Sequence, residues 1–285
     1  MSQIKIFADS TSDLPADWIT KYEIGIIPLY VVFGDTIYRD GVDITPEELY
    51  RKVEEGGSLP KTTAPSPTDF VNAFSPHIER GETIVYLSLS SKLSATYQNA
   101  LIAADELLPG RVHVVDSLNL CSGIGLLVMK AVRAAEQGKT AVEITAMLEH
   151  TRQLVDTEFV IDTLEYLYKG GRCSGMQNFI GSLLKIRPIL KVVDGSIIPA
   201  YKVRGKKDKA VQKMLDNALA NLDAMDNDVI IVVHTLAEEE ALYLASVLKE
   251  KTGAREVALS QAGCVISSHC GPHTVAIMYT KKSEA

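Results

Sequence analysis

The chain lacks the features of several large classes of protein. Only four of its 285 residues are cysteine, and no two form a Cys-x-x-Cys pair, which is typical of reduced thiols and not of a disulfide scaffold. The net charge is −7 and no basic block is present, so nucleic acid is not an expected partner. No apolar run approaches the length of a bilayer span, and the N-terminal stretch has no export signal. We therefore expect a cytoplasmic protein without stable membrane insertion.

Several catalytic and metal-binding signatures are also missing. The sequence contains no G-x-S-x-G elbow, no G-x-x-x-x-G-K-[ST] phosphate loop and no G-x-G-x-x-G fingerprint. His269, Cys270 and His273 are close in sequence and could be taken for a metal cluster. No carboxylate that would complete the set of ligands is evident beside them, so a metal site is disfavoured. Hydrophobic residues make up 46% of the chain and charged residues 23%, which is typical of a globular protein with a substantial core and one large or two ordinary domains.

The most informative stretch is a strand, a polar loop and a helix between Thr83 and Leu108. Thr83–Leu89 is apolar and rich in β-forming residues, which predicts a strand buried on both faces. Apolar residues then recur at helical spacing from Leu101 onwards. Between them, Ser88–Thr96 has four serines, one threonine and no acidic side chain. Hydroxyls beside the free N–H groups of a helix N-terminus suit a carboxylate or phosphate, although Ser90 or Ser94 could instead merely cap the helix.

The same arrangement of a strand followed by polar residues occurs elsewhere. The strand Ile4–Ala8 ends in Asp9-Ser10-Thr11-Ser12-Asp13, and the strand Val112–Val115 ends in Asp116-Ser117. Helix capping is the alternative for the first of these loops. The recurrence favours a ligand site, with the loops meeting at one edge of a sheet.

Two threonines are not needed for local structure. Thr45 with Pro46 predicts one helix start, and Ser66 with Pro67 and Asp69 predicts another. Thr62 and Thr63 precede the second cap and are surplus hydroxyls, which makes them better site candidates than Ser66.

Strands and helices alternate up to about residue 156. Gly25–Val32 is predicted as a further strand, and Cys121–Gln137 and Thr140–Val155 as helices, the first containing glycines that allow close packing. This alternation predicts a parallel sheet covered by helices. In such sheets ligands bind beyond the carboxyl ends of the strands, where the polar loops would lie.

The pattern changes near Thr157, which predicts a second α/β domain with a mixed sheet at residues 157–285 after an N-terminal domain at residues 1–156. Asp194-Gly195 predicts a β-hairpin turn. Arg172 follows a glycine pair, which leaves a cationic group beside a tight turn, although an ordinary charge at a helix C-terminus is the alternative. The closing strands are predicted at Val257–Leu259, Cys264–Ser267 and Thr274–Tyr279.

Six short motifs follow one another at sensible spacing over nearly the whole chain. They are Asp9-Ser10 with Asp13-Leu14-Pro15, Lys61-Thr62-Thr63-Ala64-Pro65-Ser66, Leu89-Ser90-Ser91-Lys92-Leu93-Ser94-Ala95-Thr96-Tyr97-Gln98, Val115-Asp116-Ser117, Thr163-Leu164-Glu165-Tyr166-Leu167 with Lys169-Gly170-Gly171-Arg172, and His269-Cys270-Gly271-Pro272. Each motif alone is weak, but in this order they are specific, and together they resemble the DegV family.

The resemblance implies a two-domain α/β protein that binds a long-chain fatty acid, such as palmitate, between its domains. In several bacteria DegV proteins serve as the binding subunit of a fatty acid kinase, and they present the acyl carboxylate to a separate ATP-using protein. The implied protein has no catalytic residues, cofactor or metal of its own. Its bound ligand is the fatty acid, and its further partner is the kinase subunit.

The resemblance also implies roles for residues of this chain. Thr62 and Ser94 would bind the carboxylate with backbone N–H groups of Ala95 or Thr96, and His269 would lie beside the head group. Arg172 would lie there too, and Arg204 near the phosphate or the partner. The apolar tunnel for the tail would be lined by Phe159, Ile180, Leu183, Leu184 and Ile266.

Three positions depart from the family pattern. Ala95 replaces the usual glycine of the serine motif, Ala64 replaces a common polar residue, and His273 replaces the second glycine of a Gly-Pro-Gly turn. The hydroxyls needed for the head group are retained. We therefore expect these departures to affect docking of the kinase partner more than binding of the fatty acid.

Two other functional classes are alternatives to a fatty-acid-binding protein without chemistry of its own. The first is an enzyme, either kinase-like or a hydrolase with Ser94 and His269 as a pair, and turnover of ATP or acyl esters by the protein alone would favour it. The second is a DNA-binding regulator, which the net charge of −7 disfavours.

Overall fold

The computed structural model describes residues 3–172 and 186–283. Its strands are β1 Ile4–Asp9, β2 Gly25–Ile27, β3 Tyr30–Phe33, β4 Thr36–Arg39, β5 Lys61–Thr63, β6 Thr83–Ser88, β7 Val112–Asp116, β8 Val155–Val160, β9 Ile186–Val193, β10 Ser196–Arg204, β11 Met225–Thr235, β12 Glu256–Gln261 and β13 Thr274–Lys281. Its α-helices are α1 Ala16–Lys21, α2 Pro46–Gly56, α3 Pro67–Glu79, α4 Thr96–Glu106, α5 Ser122–Glu136, α6 Ala141–Thr151, α7 Glu165–Lys169, α8 Lys207–Ala220, α9 Glu238–Thr252 and α10 Cys264–Cys270.

A four-stranded parallel sheet with the order β2-β1-β6-β7 forms the first half of the fold, as the alternation predicts. All six side chains of β6 are buried, because helices cover both faces of the sheet. On one face the rings of Phe7 and Tyr86 from the sheet pack against the rings of Phe70 and Phe74 from α3. Both predicted helix starts are present, and α2 and α3 each begin with a capping box.

The predicted strand Gly25–Val32 is wrong as a single element. β2 ends at Ile27 and pairs with β1 in the parallel sheet, whereas β3 begins at Tyr30 and pairs with β4 and β5 in a small antiparallel sheet. Pro28 lies between them and has no N–H to donate to a ladder, so the chain leaves the first sheet there. This break places β5, and with it Thr62, beside the parallel sheet.

The second half is built on a six-stranded mixed sheet with the order β10-β9-β8-β13-β11-β12. β11 and β12 are parallel and the other pairs are antiparallel. Asp194 and Gly195 form the turn between β9 and β10 with φ of 48° and 80°, as expected for a type I′ hairpin. The mixed sheet is confirmed. The domain boundary between residues 156 and 157 stays a prediction.

Helix α5 lies between the two sheets, which explains why it is buried on nearly all sides. It contacts β1 and β6 of the first sheet and β8, β11 and β13 of the second. Gly123 and Gly125 allow these approaches, because a Cβ atom at Gly123 would lie 2.2 Å from Asn119 Oδ1 and one at Gly125 would lie 3.2 Å from the Ser12 carbonyl. Among the described residues, no helix is both long and apolar enough to cross a bilayer.

The predicted strand Cys264–Ser267 is also wrong, because these residues begin α10. A short apolar run cannot distinguish a strand from a buried helix. Here the first amide groups of the helix are bound by two carboxylates from the other half of the chain. Gly263 N donates to Asp13 Oδ1 and Cys264 N donates to Asp40 Oδ1, each at 2.7 Å. A Cβ atom at Gly263 would lie 3.0 Å from Asp40 and 3.1 Å from Asp13, so glycine suits this position.

We expect the Asp40 carboxylate to be needed for stability. Asp40 is 2% exposed and also accepts from the Ser10 hydroxyl at 2.8 Å. Because Asp40→Ala leaves these buried donors without partners, it should lower the free energy of unfolding by about 2–4 kcal/mol. Asp40→Asn keeps an acceptor oxygen and should cost less than half as much. Urea unfolding of both variants tests this, with Asp17→Ala on the exposed face of α1 as the control. Equal losses in the Ala and Asn variants would contradict the role of the acceptor.

Candidate functional site

A cavity of about 300 Å³ lies between the parallel sheet, α10 and the second sheet. Its polar lining comes from β5, from the loop after β6, from α4, from the turn after α7 and from α10, and it consists of Thr62, Thr63, Ser94, Asn99, Arg172 and His269. The rest of its wall is largely apolar and includes Leu29, Leu89, Leu93, Leu120, Phe159, Leu167, Ile197, Val265 and Ile266. The cavity therefore combines a polar end with an apolar body.

Thr62 and His269 form a direct pair at the polar end. Thr62 Oγ1 and His269 Nε2 are 2.8 Å apart, although the two residues are 207 positions apart in sequence. Pairing of β5 with β3 places Thr62, and the last turn of α10 places His269. Gly170 packs closely against the imidazole, since a Cβ atom there would lie 2.3 Å from His269 Nδ1.

The His269 imidazole is neutral near pH 7. Burial, with a smaller contribution from the neighbouring Arg172 guanidinium, lowers the pKa of His269 to about 4. Its Nδ1 atom is buried and has no hydrogen-bond partner within residues 3–172 and 186–283. The pair Ser94–His269 considered for a hydrolase is not formed as a hydrogen bond among these residues, because His269 Nε2 is bonded to Thr62 and Ser94 to Thr96.

Ser94 lines the cavity at the start of α4. Its Oγ lies 2.8 Å from Thr96 Oγ1 and accepts from the Thr96 backbone N–H at 3.3 Å. Thr96 is fully buried and does not line the cavity, whereas Ala95 does. The N-cap of α4 is Ala95, so Ser94 is the residue before the cap. Involvement of the Ala95 amide in ligand binding stays a prediction.

Arg172 and Asn99 complete the polar end. The Arg172 guanidinium donates to the carbonyl groups of Leu93 at 3.2 Å and Gly170 at 2.6 Å, which ties the α7 turn to the serine loop. Asn99 donates from Nδ2 to the Pro65 carbonyl at 2.7 Å and was not predicted from sequence. Asn99 lies four residues after Ala95 and therefore on the same face of the helix. This spacing could have identified Asn99 as a site candidate from the sequence.

The other predicted site residues fall in different places. Phe159 and Ile266 line the cavity, whereas Ile180, Leu183 and Leu184 lie outside the described residues. Arg204 is exposed at the end of β10, roughly 20 Å along the strand from Ile197 in the cavity wall. The structure thus brings Thr62, Ser94, Ala95, Arg172 and His269 together and leaves Arg204 apart from them.

The carboxylates at the ends of β1 and β7 support the serine loop instead of facing the cavity. Asp9 accepts from the Leu89 backbone N–H at 2.7 Å and from the Tyr86 hydroxyl at 3.1 Å. Burial raises the pKa of Asp9 to about 6 against these hydrogen bonds. Asp116 accepts from the Ser91 and Leu118 backbone N–H groups at 3.2 Å and 3.0 Å.

His273 does not line the main cavity. It has a φ of 58°, in the left-handed region that favours glycine, which explains why glycine suits this turn. Its Nδ1 lies 2.9 Å from the Leu236 carbonyl, beside the acidic start of α9. No group of three potential metal ligands occurs in the described part of the chain.

The fold and the site define an α/β protein in which an apolar cavity between two sheets ends in a cluster of hydroxyl, imidazole and guanidinium groups. The family model described as "Uncharacterised protein, DegV family" matches residues 3–282. A fatty acid-binding protein from Thermotoga maritima is 36% identical over 280 residues, 96% of each chain. The chain therefore belongs to the DegV family.

Solved structures are similar over the whole length. A DegV family protein from Thermus thermophilus, described by its fatty acid binding, has a TM-score of 0.91 at 35% identity and covers 98% of this chain and 99% of its own. A stearic acid-binding protein from Eubacterium ventriosum has a TM-score of 0.88 at 26% identity, and the match covers 99% of each chain.

We expect His269 to make stability depend on pH. Its pKa of about 4 in the folded protein lies below its ordinary value of 6.5, so the unfolded chain takes up the proton first. The free energy of unfolding contributed by His269 is complete above about pH 6.5 and is lost as the pH falls towards 4. His269→Gln should remove roughly 1–3 kcal/mol of this decline.

Urea unfolding at several pH values between about 7 and 4 measures this difference. The exposed His150→Gln on α6 is the control, and the comparison with wild type separates His269 from the carboxyl groups with raised pKa values. Identical pH profiles for wild type and His269→Gln would contradict a depressed pKa.

Proposed function

We propose that this protein binds a long-chain fatty acid, with the tail in the apolar body of the cavity and the carboxylate at its polar end. The observation that carries the proposal is the Thr62–His269 pair beside Ser94 at one end of an otherwise largely apolar cavity. The fatty acid binding named for the relatives supports it.

The affinity in this proposal comes mostly from the tail. Each methylene group buried from water contributes about 0.8 kcal/mol. A tail of sixteen carbons can therefore dominate binding, and a few neutral donors suffice to orient the head group. Arg172 already donates to two backbone carbonyl groups, so a bidentate pair with the carboxylate is not required.

The neutral imidazole gives Thr62 a defined role. A neutral imidazole has one N–H donor and one acceptor nitrogen. Because Nδ1 has no hydrogen-bond partner among the described residues, we place the proton on Nε2, where it donates to Thr62 Oγ1. The Thr62 hydroxyl proton is then available to the carboxylate, and Ser94 supplies a second hydroxyl.

We further propose that the carboxylate is presented to a separate ATP-dependent fatty acid kinase, in the bacterial cytoplasm, and that the cavity lies between domains at residues 1–156 and 157–285. A head group held by hydroxyls at a loop edge remains reachable, which supports transfer of a phosphoryl group by a partner. Arg204, exposed at the end of β10, is proposed to face that partner or the phosphate.

The first test is extraction of the purified protein with organic solvent after denaturation, followed by mass spectrometry. We expect a stoichiometric fatty acid with a tail of fourteen to eighteen carbons, because the apolar cavity would retain it through purification. An empty extract together with no uptake of added palmitate or oleate would overturn the proposal and favour the enzyme alternative.

The head group is tested with the double variant Thr62→Ala and Ser94→Ala. Loss of two hydrogen bonds to a charged group should weaken binding of the acid by about 3–6 kcal/mol, while binding of the corresponding methyl ester changes less. Calorimetric titration measures both ligands. Thr68→Ala, on the exposed surface of α3, is the matched control. Unchanged affinity of the double variant for the acid would show that the carboxylate lies elsewhere.

A further inference from the structure

Ser90 is a fully buried serine that does not line the cavity, although it lies in the serine loop (residues 89–95) together with Ser94. Its hydroxyl donates to the Gly195 carbonyl at 2.8 Å and accepts from the Lys92 backbone N–H at 3.2 Å. The first of these bonds joins the serine loop to the turn between β9 and β10, which belongs to the second half of the chain. A buried hydroxyl with both a donor and an acceptor as partners is held in one orientation.

The backbone of Ser90 sets the position of Ser94. Its carbonyl accepts from the backbone N–H groups of Leu93 at 2.9 Å and Ser94 at 3.2 Å, which closes the turn that leads into α4. Leu93 and Ser94 both line the cavity. Because a hydrogen bond weakens steeply when its angle or its length departs from the preferred values, what the Ser94 hydroxyl can bind depends on how Ser90 is held.

The β9–β10 turn packs against the serine loop without free space. Gly195 has a φ of 80° and is buried. A Cβ atom at Gly195 would lie 2.5 Å from Ser90 Oγ and 3.1 Å from Lys92 Cγ, so a side chain there would push Ser90 away. Two residues further along β10, Ile197 lines the apolar part of the cavity. One hairpin therefore contacts the serine loop and also forms part of the apolar wall.

Arg172 makes another contact from the second half of the chain with the same loop. Its guanidinium donates to the Leu93 carbonyl at 3.2 Å, directly before Ser94. The second half is thus bonded to Ser90 and to Leu93, the first and the fourth residue of the turn that ends at Ser94. The direction of the Ser94 hydroxyl therefore depends on contacts between the two halves and not on the serine loop alone.

We propose that the β9–β10 turn positions Ser94 for the fatty acid carboxylate by holding Ser90, so that Ser90 and Gly195 are positioning residues that set the preference for a carboxylate over an uncharged head group. This inference rests on the proposed function. A charged acceptor gains more from a well-placed hydroxyl than a neutral acceptor does. Displacement of Ser94 therefore weakens binding of the acid more than binding of its methyl ester, whereas burial of the tail is the same for both ligands.

The test compares palmitic acid with methyl palmitate, each titrated by calorimetry into delipidated protein. Ser90→Ala removes the hydroxyl, and Gly195→Ala adds a Cβ atom that collides with Ser90 Oγ. Each variant should weaken binding of the acid roughly ten-fold, the value of a weak hydrogen bond to a charged group, and change binding of the ester less than about three-fold. Gly253→Ala is the matched control, because Gly253 also has a positive φ, of 63°, but no atom lies within 4 Å of the added Cβ. It should bind both ligands as wild type does.

A double-mutant cycle separates positioning of Ser94 from general support of the loop. If Ser90 acts through Ser94, Ser90→Ala should change the affinity for the acid less than about two-fold in a protein that already carries Ser94→Ala. Gly195→Ala should behave in the same way in that background. Thermal melts identify the variants that fold, and Gly195→Ala decides where Ser90→Ala does not fold. Where neither folds, Ser90→Cys, which keeps a weak S–H donor, takes their place.

The outcomes separate this inference from the proposed function. Equal weakening of acid and ester in the deciding variant overturns the positioning role while fatty acid binding stands. An unchanged affinity for the acid, or an effect that persists in full beside Ser94→Ala, overturns it as well. If wild type takes up no palmitic acid, the proposed function itself fails and the positioning role fails with it.

Discussion

The arrangement of side chains in the cavity depends on how helix α10 is held in place. This helix has only seven residues, too few to be stable on its own, yet it supplies Ile266 and His269 to the cavity. The Asp13 and Asp40 carboxylates hold its first amide groups from the other half of the chain. Because both carboxylates are buried, their pKa values are raised, and the hydrogen bonds offset part of the cost of burial. The position of the imidazole relative to Thr62 follows from this contact.

In the proposed complex, the polar end of the cavity would accommodate a charged head group without a dedicated ion pair. His269 is kept neutral by burial and by Arg172, while the Arg172 guanidinium is bound to backbone carbonyl groups. Hydroxyls and a neutral ring orient a carboxylate at little desolvation cost compared with a fully buried ion pair. Affinity can then come from the apolar tail, which a cavity between two sheets is suited to bury.

Much of this was predictable from local pattern. The parallel sheet and the helix starts at Thr45 and Ser66 follow from alternation and turn chemistry, and the structure agrees with each. Thr62, singled out as a surplus hydroxyl, lines the cavity, and its part in binding stays a prediction. The family resemblance pointed to His269, which lines the same cavity, and its place beside a head group stays a prediction. Local pattern failed at Pro28, where one apolar run divides between two sheets, and at Cys264, where a helix depends on distant carboxylates. It also assigned Asp9 to the ligand edge, although Asp9 holds the Leu89 backbone in place.

The sequence by itself determined the class of fold and the chemical types available at the site, because periodicity and capping act over a few residues and are written locally. Only the tertiary structure decided which of these residues meet. The Thr62–His269 bond joins positions 207 residues apart, and the first amide groups of α10 are held by Asp13 and Asp40, which lie more than 220 residues earlier. Such contacts depend on how sheets pair and pack, and no local pattern encodes that geometry.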